Sequence, residues 1–127
     1  MLIKSVRGFT PKHGKDCYFA ENCTIIGDLE IGNNCSVWFQ AVIRADVNSI
    51  RIGNRVNIQD GVIIHATFEK SSTKIGNDVS IGHNAIVHGC TIENSVLIGM
   101  GSIIMDDCII GSNSIIAAGC VLPKGTI

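Results

Sequence analysis

His65, His83 and His88 are the side chains in this sequence best suited to chemistry, because imidazole is the commonest metal ligand and carries protons near neutral pH. Histidines make a site only when a fold brings them together, and here a repeat says which fold. Apolar residues, nearly all aliphatic, recur every six positions through Phe19, Ile25, Ile31, Val37 and Ile43, then Ile52, Ile58 and Ile64, then Ile75, Ile81 and Val87. One residue out of step, the series continues through Ile92, Ile98, Ile104, Ile110, Ile116 and Leu122. A fixed six-residue period led by an aliphatic residue marks a parallel β-helix. Three hexads close one triangular coil, and successive coils stack as parallel strands about 4.7–4.9 Å apart.

The frame decides which histidines stack. His65 and His83 are eighteen residues apart, but residues 66–74 hold an insertion, since Ile64 to Ile75 spans eleven positions instead of six. Counted in frame, His65 follows Ile64 and His88 follows Val87, so the two share one slot on neighbouring coils. Arg44 follows Ile43 and takes the same slot one coil earlier. His83 lies two residues after Ile81, on another face, in the slot that Asp60 occupies one coil before, with Gln59 beside it. The chain thus carries two half-sites near two edges of a triangular prism. They could meet across a boundary between chains, and a heterologous contact of that kind closes into a ring.

Two imidazole nitrogens on one tetrahedral zinc sit roughly 3.3 Å apart, a distance that side chains on adjacent coils can reach. A third histidine from a facing chain would leave the fourth position for water, as in catalytic zinc sites. Scattered surface histidines would not share an in-frame slot. His13 lies before the hexads and is read as an ordinary surface residue.

The segments Arg44-Ala45-Asp46, Asn57-Ile58-Gln59-Asp60, His65 and Ile81-Gly82-His83-Asn84-Ala85-Ile86-Val87-His88-Gly89-Cys90 resemble the γ-class carbonic anhydrases and their relatives, from about Phe9 to the end of the chain. The resemblance implies an all-β, left-handed parallel β-helix that forms a homotrimer with zinc, or iron or cobalt, at each subunit interface. It implies that His65 and His88 come from one subunit and His83 from its neighbour. Gln59 matches the residue that holds the metal-bound water, Arg44, Asp46 and Asp60 match interfacial ion pairs, and Asn57 matches a polar residue beside the site. The implied reaction is the reversible hydration of carbon dioxide to bicarbonate by hydroxide formed at neutral pH. Asp46 or Asp60 would hold Arg44 in a bidentate pair. Val47 stands where the well-characterised enzyme of the class has a glutamate. The insertion offers one carboxylate, Glu69, as a candidate proton shuttle.

Length and composition fit one domain over residues 1–127, with a cap over 1–18, hexads over about 19–127 and the loop insertion. A net charge of −1 gives no basic stripe for nucleic acid, and no apolar run is long enough to span a membrane. Met1 to Arg7 lacks an apolar core of signal-peptide length, which with free thiols points to the cytoplasm. Cys23, Cys35, Cys108 and Cys120 share the slot four residues after a frame aliphatic and read as small interior residues, and Cys90 as a packing residue. Gly27, Gly32, Gly53, Gly76, Gly82, Gly99 and Gly111 suit tight corners, and Asn33, Asn54, Asn77, Asn94 and Asn113 are expected there in left-handed geometry.

Two other functions fit the hexad repeat. One is acyl transfer or thioester hydrolysis on an acyl-CoA, with a histidine as general base. The other is a weakly active or non-catalytic scaffold that keeps its metal. The sequence stops in mid-coil at Ile127, where the resemblance implies a further turn and a C-terminal helix.

Overall fold

A computed structural model describes residues 1–127. It is a left-handed parallel β-helix with no helical residue, and hence no helix long and apolar enough to cross a membrane. Most hexads give a strand of two or three residues, and every strand pairs in parallel with the strand one coil away. One face of the prism is a six-stranded sheet. The other two share an eleven-stranded sheet, because the strands Thr24–Ile31 and Val42–Ile52 run around a corner without a break.

Alternation sorts the side chains. The frame aliphatics point inward: Ile25, Ile43, Ile64, Val87 and Ile104 stack in one wholly buried row, and Val37, Ile58, Ile81 and Ile98 in another. Each such residue, taken out of water, stabilises the fold by about 1.5–3 kcal/mol.

The outward rows differ between faces. One reads Tyr18, Ser36, Asn57, Ser80, Leu97 and Ile115, and another Lys12, Glu30, Arg51, Lys74, Thr91 and Ile109. The third reads Leu2, Thr24, Val42, Ile63, Ile86, Ile103 and Val121, a nearly unbroken aliphatic stripe turned to the outside.

Three features depart from the hexad reading. Segment 1–18 is no separate cap: Leu2–Lys4, Lys12–His13 and Tyr18–Phe19 are the three strands of an irregular first coil. His13 fills the aliphatic slot beside Ile31 and packs its ring on Phe19. Nor do Asn33, Asn54, Asn77 and Asn94 adopt left-handed backbone. The positive φ falls one residue later, at Asn34, Arg55, Asp78 and Ser95, and among the expected asparagines only Asn113 is itself left-handed.

The four asparagines instead form a ladder. Each side-chain oxygen accepts a backbone N–H from the coil before, at 2.8 Å from Lys15, Asn33, Asn54 and Asn77 in turn. Glycine stands beside them to make room, not to turn: a Cβ on Gly53 would lie 2.5 Å from the Asn77 oxygen.

All six cysteines are free. Cys23, Cys35, Cys90 and Cys108 are buried, while Cys17 and Cys120, near the two ends, are half-buried.

Candidate metal centre

The aliphatic face has a half-site on each of its edges. At the edge where its strands end, Ile63–His65 and Ile86–His88 pair so that His65 and His88 are register partners. One coil earlier, Ile43 pairs with Ile64, which sets Arg44 below His65. Past Arg44 the strand Val42–Ile52 bulges against its neighbour, with three more residues between Ala45 and Ile50 than between Gly27 and Leu29. Bulges re-aim side chains, and the first residue of this one is Asp46.

These groups form a continuous chain of contacts. Arg44 Nη1 donates to Asp46 Oδ2 at 2.6 Å, and Asp46 Oδ1 lies 3.0 Å from His65 Nε2. His65 Nδ1 lies 3.0 Å from His88 Nε2, and His88 Nδ1 lies 2.5 Å from Asp106 Oδ1. The Thr67 hydroxyl donates to the other Asp106 oxygen. Thr73 fixes the backbone of both histidines, donating to the His65 carbonyl and accepting from the N–H of Gly89.

Burial pushes the Asp46 carboxyl up, but hydrogen bonds from Arg44 and His65 and the Arg44 charge outweigh it and hold Asp46 below the usual carboxylate range. At Asp106 burial is likewise outweighed, by hydrogen bonds from Thr67 and His88 and by the His88 charge. Burial pulls His65 below the ordinary imidazole value, and the Asp46 bond offsets this only in part. Two ionised carboxylates and a neutral His65 are the states favoured.

Those states test the fit to a metal. When both rings are neutral and each gives its N–H to its own carboxylate, His65 Nδ1 and His88 Nε2 are left 3.0 Å apart with a lone pair on each. That contact is repulsive unless a cation or a proton lies between the rings. A histidine whose far nitrogen is tied to a carboxylate is the usual form of a metal ligand, and two nitrogens on one zinc need roughly 3.3 Å. The donor set fits two ligands of a tetrahedral ion.

The third histidine is elsewhere. His83 lies at the opposite edge of the same face, half-exposed, with Nδ1 3.2 Å from Asp60 Oδ1. Gln59 precedes Asp60 at this corner. Asn57 is turned by Trp38 and Ser36, whose indole N–H and hydroxyl both meet its side-chain oxygen. Within the chain Asp60 faces His83, and Arg44 meets Asp46 through one nitrogen. No three His, Cys, Asp or Glu side chains within the chain are grouped to hold an ion. The largest groove, about 690 Å³, runs along the charged face beside Glu30, Arg51 and Lys74 and touches no histidine.

Asp106 and Thr67 were absent from the sequence-derived site. Asp106 was within reach of the count, since it lies two residues after Ile104, which pairs with Val87. Thr67 lies in the insertion, where no repeat gives a register.

This is a hexapeptide-repeat β-helix with a carboxylate-braced histidine pair, and comparison with known proteins narrows the class. Residues 89–124 match the family model "Bacterial transferase hexapeptide (six repeats)". Over 122 residues, 92% of the chain, it is 36% identical to "Gamma carbonic anhydrase 2, mitochondrial" of Arabidopsis thaliana. It is 42% identical over 110 residues, 87% of the chain, to "Carbonic anhydrase" of Geobacillus kaustophilus. The chain spans 44% of the first relative and 60% of the second. A solved structure of a hexapeptide transferase family protein from Anaplasma phagocytophilum superposes with a TM-score of 0.94 at 40% identity, covering 99% of this chain and 74% of that one. The chain belongs to the hexapeptide-repeat family, and the relatives it matches include γ-carbonic anhydrases.

Proposed function

We propose that this chain forms a homotrimer that holds zinc, or iron or cobalt, between subunits and catalyses the reversible hydration of carbon dioxide. The observation that carries this reading is the placement of two complementary half-sites on opposite edges of the one aliphatic outer face. A second copy docked on that face covers the stripe Val42, Ile63, Ile86 and Ile103 and brings its His83 toward the His65–His88 pair of the first. The contact is heterologous, and three copies close it.

His65 and His88 of one subunit and His83 of the next would hold the ion. The bound metal supplies the Lewis acidity that makes hydroxide available at neutral pH. Asp46 and Asp106 keep the ring N–H groups of His65 and His88 turned away from the ion. Gln59 orients the nucleophile by a hydrogen bond, and Asn57, its oxygen held by Trp38 and Ser36, presents its amide N–H₂ beside it. Asp60 steadies His83. Arg44, single-bonded to Asp46 and nearly half-exposed, keeps donors free for a partner across the interface. Glu69, at the exposed tip of the insertion, is the carboxylate available to pass the proton to solvent. Six free thiols suit a reducing compartment, and in this reading the protein is cytoplasmic.

The transferase names of the family model and the Anaplasma relative favour a second reading, acyl transfer or thioester hydrolysis on an acyl-CoA. Stopped-flow carbon dioxide hydration, on protein loaded with zinc and then with iron, tests the first. Turnover above buffer that His65→Ala abolishes supports it. Full metal content without hydration leaves a metal-bound scaffold, and acyl-CoA turnover favours the second reading.

A further inference from the structure

We infer that Asp106, locked by the Thr67 hydroxyl of the insertion loop, is a positioning residue that fixes the tautomer of His88. The inference rests on the metal reading for its consequence but not for its geometry.

The two halves of the histidine pair are built alike. On one side Asp46 gives one oxygen to His65 and the other to Arg44. On the other side Asp106 gives one oxygen to His88 and the other to Thr67. Each carboxylate has both oxygens engaged, so neither can rotate away from its histidine. Arg44 and Asp46 belong to a legible motif, whereas Thr67 and Asp106 do the same work from the insertion and the next coil.

The surroundings hold this lock in place. Gly89, with φ +58°, leaves no side chain where a Cβ would lie 2.8 Å from Asp106 Cγ and 2.9 Å from its Oδ1. Thr67 donates its N–H to the Ser71 carbonyl, and its own carbonyl accepts from Asn48 Nδ2 at 3.1 Å. Next in the loop, Phe68 lies under the Arg7 guanidinium, 5.6 Å from the ring centre. His88 needs such a lock because its side chain is 32% exposed, twice the 16% of His65. A ring that open could turn over or exchange tautomers. With Asp106 as fixed acceptor, the proton stays on Nδ1 and the Nε2 lone pair stays on the side of His65.

The test uses the full-length protein in two measurements. Nitrogen-15 NMR of labelled histidine, on metal-free protein, reads the tautomer. Zinc affinity by chelator competition reads the consequence. We expect His88 protonated on Nδ1 in the natural protein, mixed tautomers in Asp106→Asn, and a partial shift in Thr67→Val that Thr67→Ser reverses. Zinc should bind about 10–100-fold more weakly to Asp106→Asn, with Thr67→Val between that variant and the natural protein.

An unchanged His88 tautomer in Asp106→Asn would overturn the inference, as would equal behaviour of Thr67→Val and Thr67→Ser. A tautomer shift in a protein that binds no zinc would uphold the positioning role and remove the metal reading. Natural-strength zinc binding in Asp106→Asn with its tautomer intact would do the reverse.

Discussion

Replacing Gly89 with alanine puts one methyl group between the backbone and the Asp106 carboxylate. Two costs follow. Alanine at φ +58° carries a left-handed penalty of about 1–2 kcal/mol. The new Cβ would also sit 2.8 Å from Asp106 Cγ and 2.9 Å from Ser71 Cβ, where ordinary contact begins near 3.4 Å. Something must move by roughly half an ångström in a close-packed corner. Asp106 is short and held at both oxygens, so it yields by stretching its bond to His88, and a hydrogen bond to a charged group is worth about 1.5–3 kcal/mol. The sum is about 2.5–5 kcal/mol of stability, together with weaker zinc binding. Gly119→Ala is the matched control: φ is +73°, yet nothing lies within 4 Å of the new Cβ, so only the backbone penalty applies. Urea unfolding at equal protein concentration and zinc competition compare the two variants. If Gly89→Ala loses no more than Gly119→Ala in both, the carboxylate does not depend on that open corner and the reasoning fails.

Ile63→Asp or Ile86→Asp, on the outer aliphatic stripe, should convert the assembly to monomers at micromolar concentration and remove bound metal, because the charge would be buried unpaired at several kcal/mol; light scattering and metal analysis check both. Asn77→Ala should lower stability by about 1–3 kcal/mol, since the Asn54 N–H loses its acceptor, while Asn77→Asp keeps an acceptor and should lose less. Burial raises the thiols of Cys23, Cys35 and Cys90, the last to about 12. An acid whose pKa is raised by folding stabilises below its unfolded value and loses that contribution as pH rises. Stability should therefore fall from about pH 9 toward 12, and less steeply in Cys90→Ala; denaturant midpoints across that range decide it.

The coil register was legible because it needs only a period. An aliphatic residue every sixth position fixes which residues stack, and stacking alone pairs His65 with His88 and Asp60 with His83. Irregular stretches broke that logic. In the first coil, Ile3 and His13 are ten positions apart instead of six, and a histidine takes an aliphatic slot at an open end where burial is incomplete. The asparagines were placed at the right corners for the wrong reason, since a ladder of side-chain acceptors and a left-handed backbone both favour asparagine. Thr67 stayed hidden because its hydroxyl reaches Asp106 across thirty-nine residues from a loop with no period.

The central claim is that one metal site draws His65 and His88 from one chain and His83 from the next. Trimers built wholly of His65→Ala chains should hold no intact site, and neither should trimers built wholly of His83→Ala chains. Unfolding the two together and refolding them creates interfaces where a His83→Ala chain supplies His65 and His88 and a His65→Ala chain supplies His83. Zinc content of the mixed trimers should partly return, while each variant refolded alone stays empty. If the mixture stays as empty as its parents, the three ligands do not come from two chains.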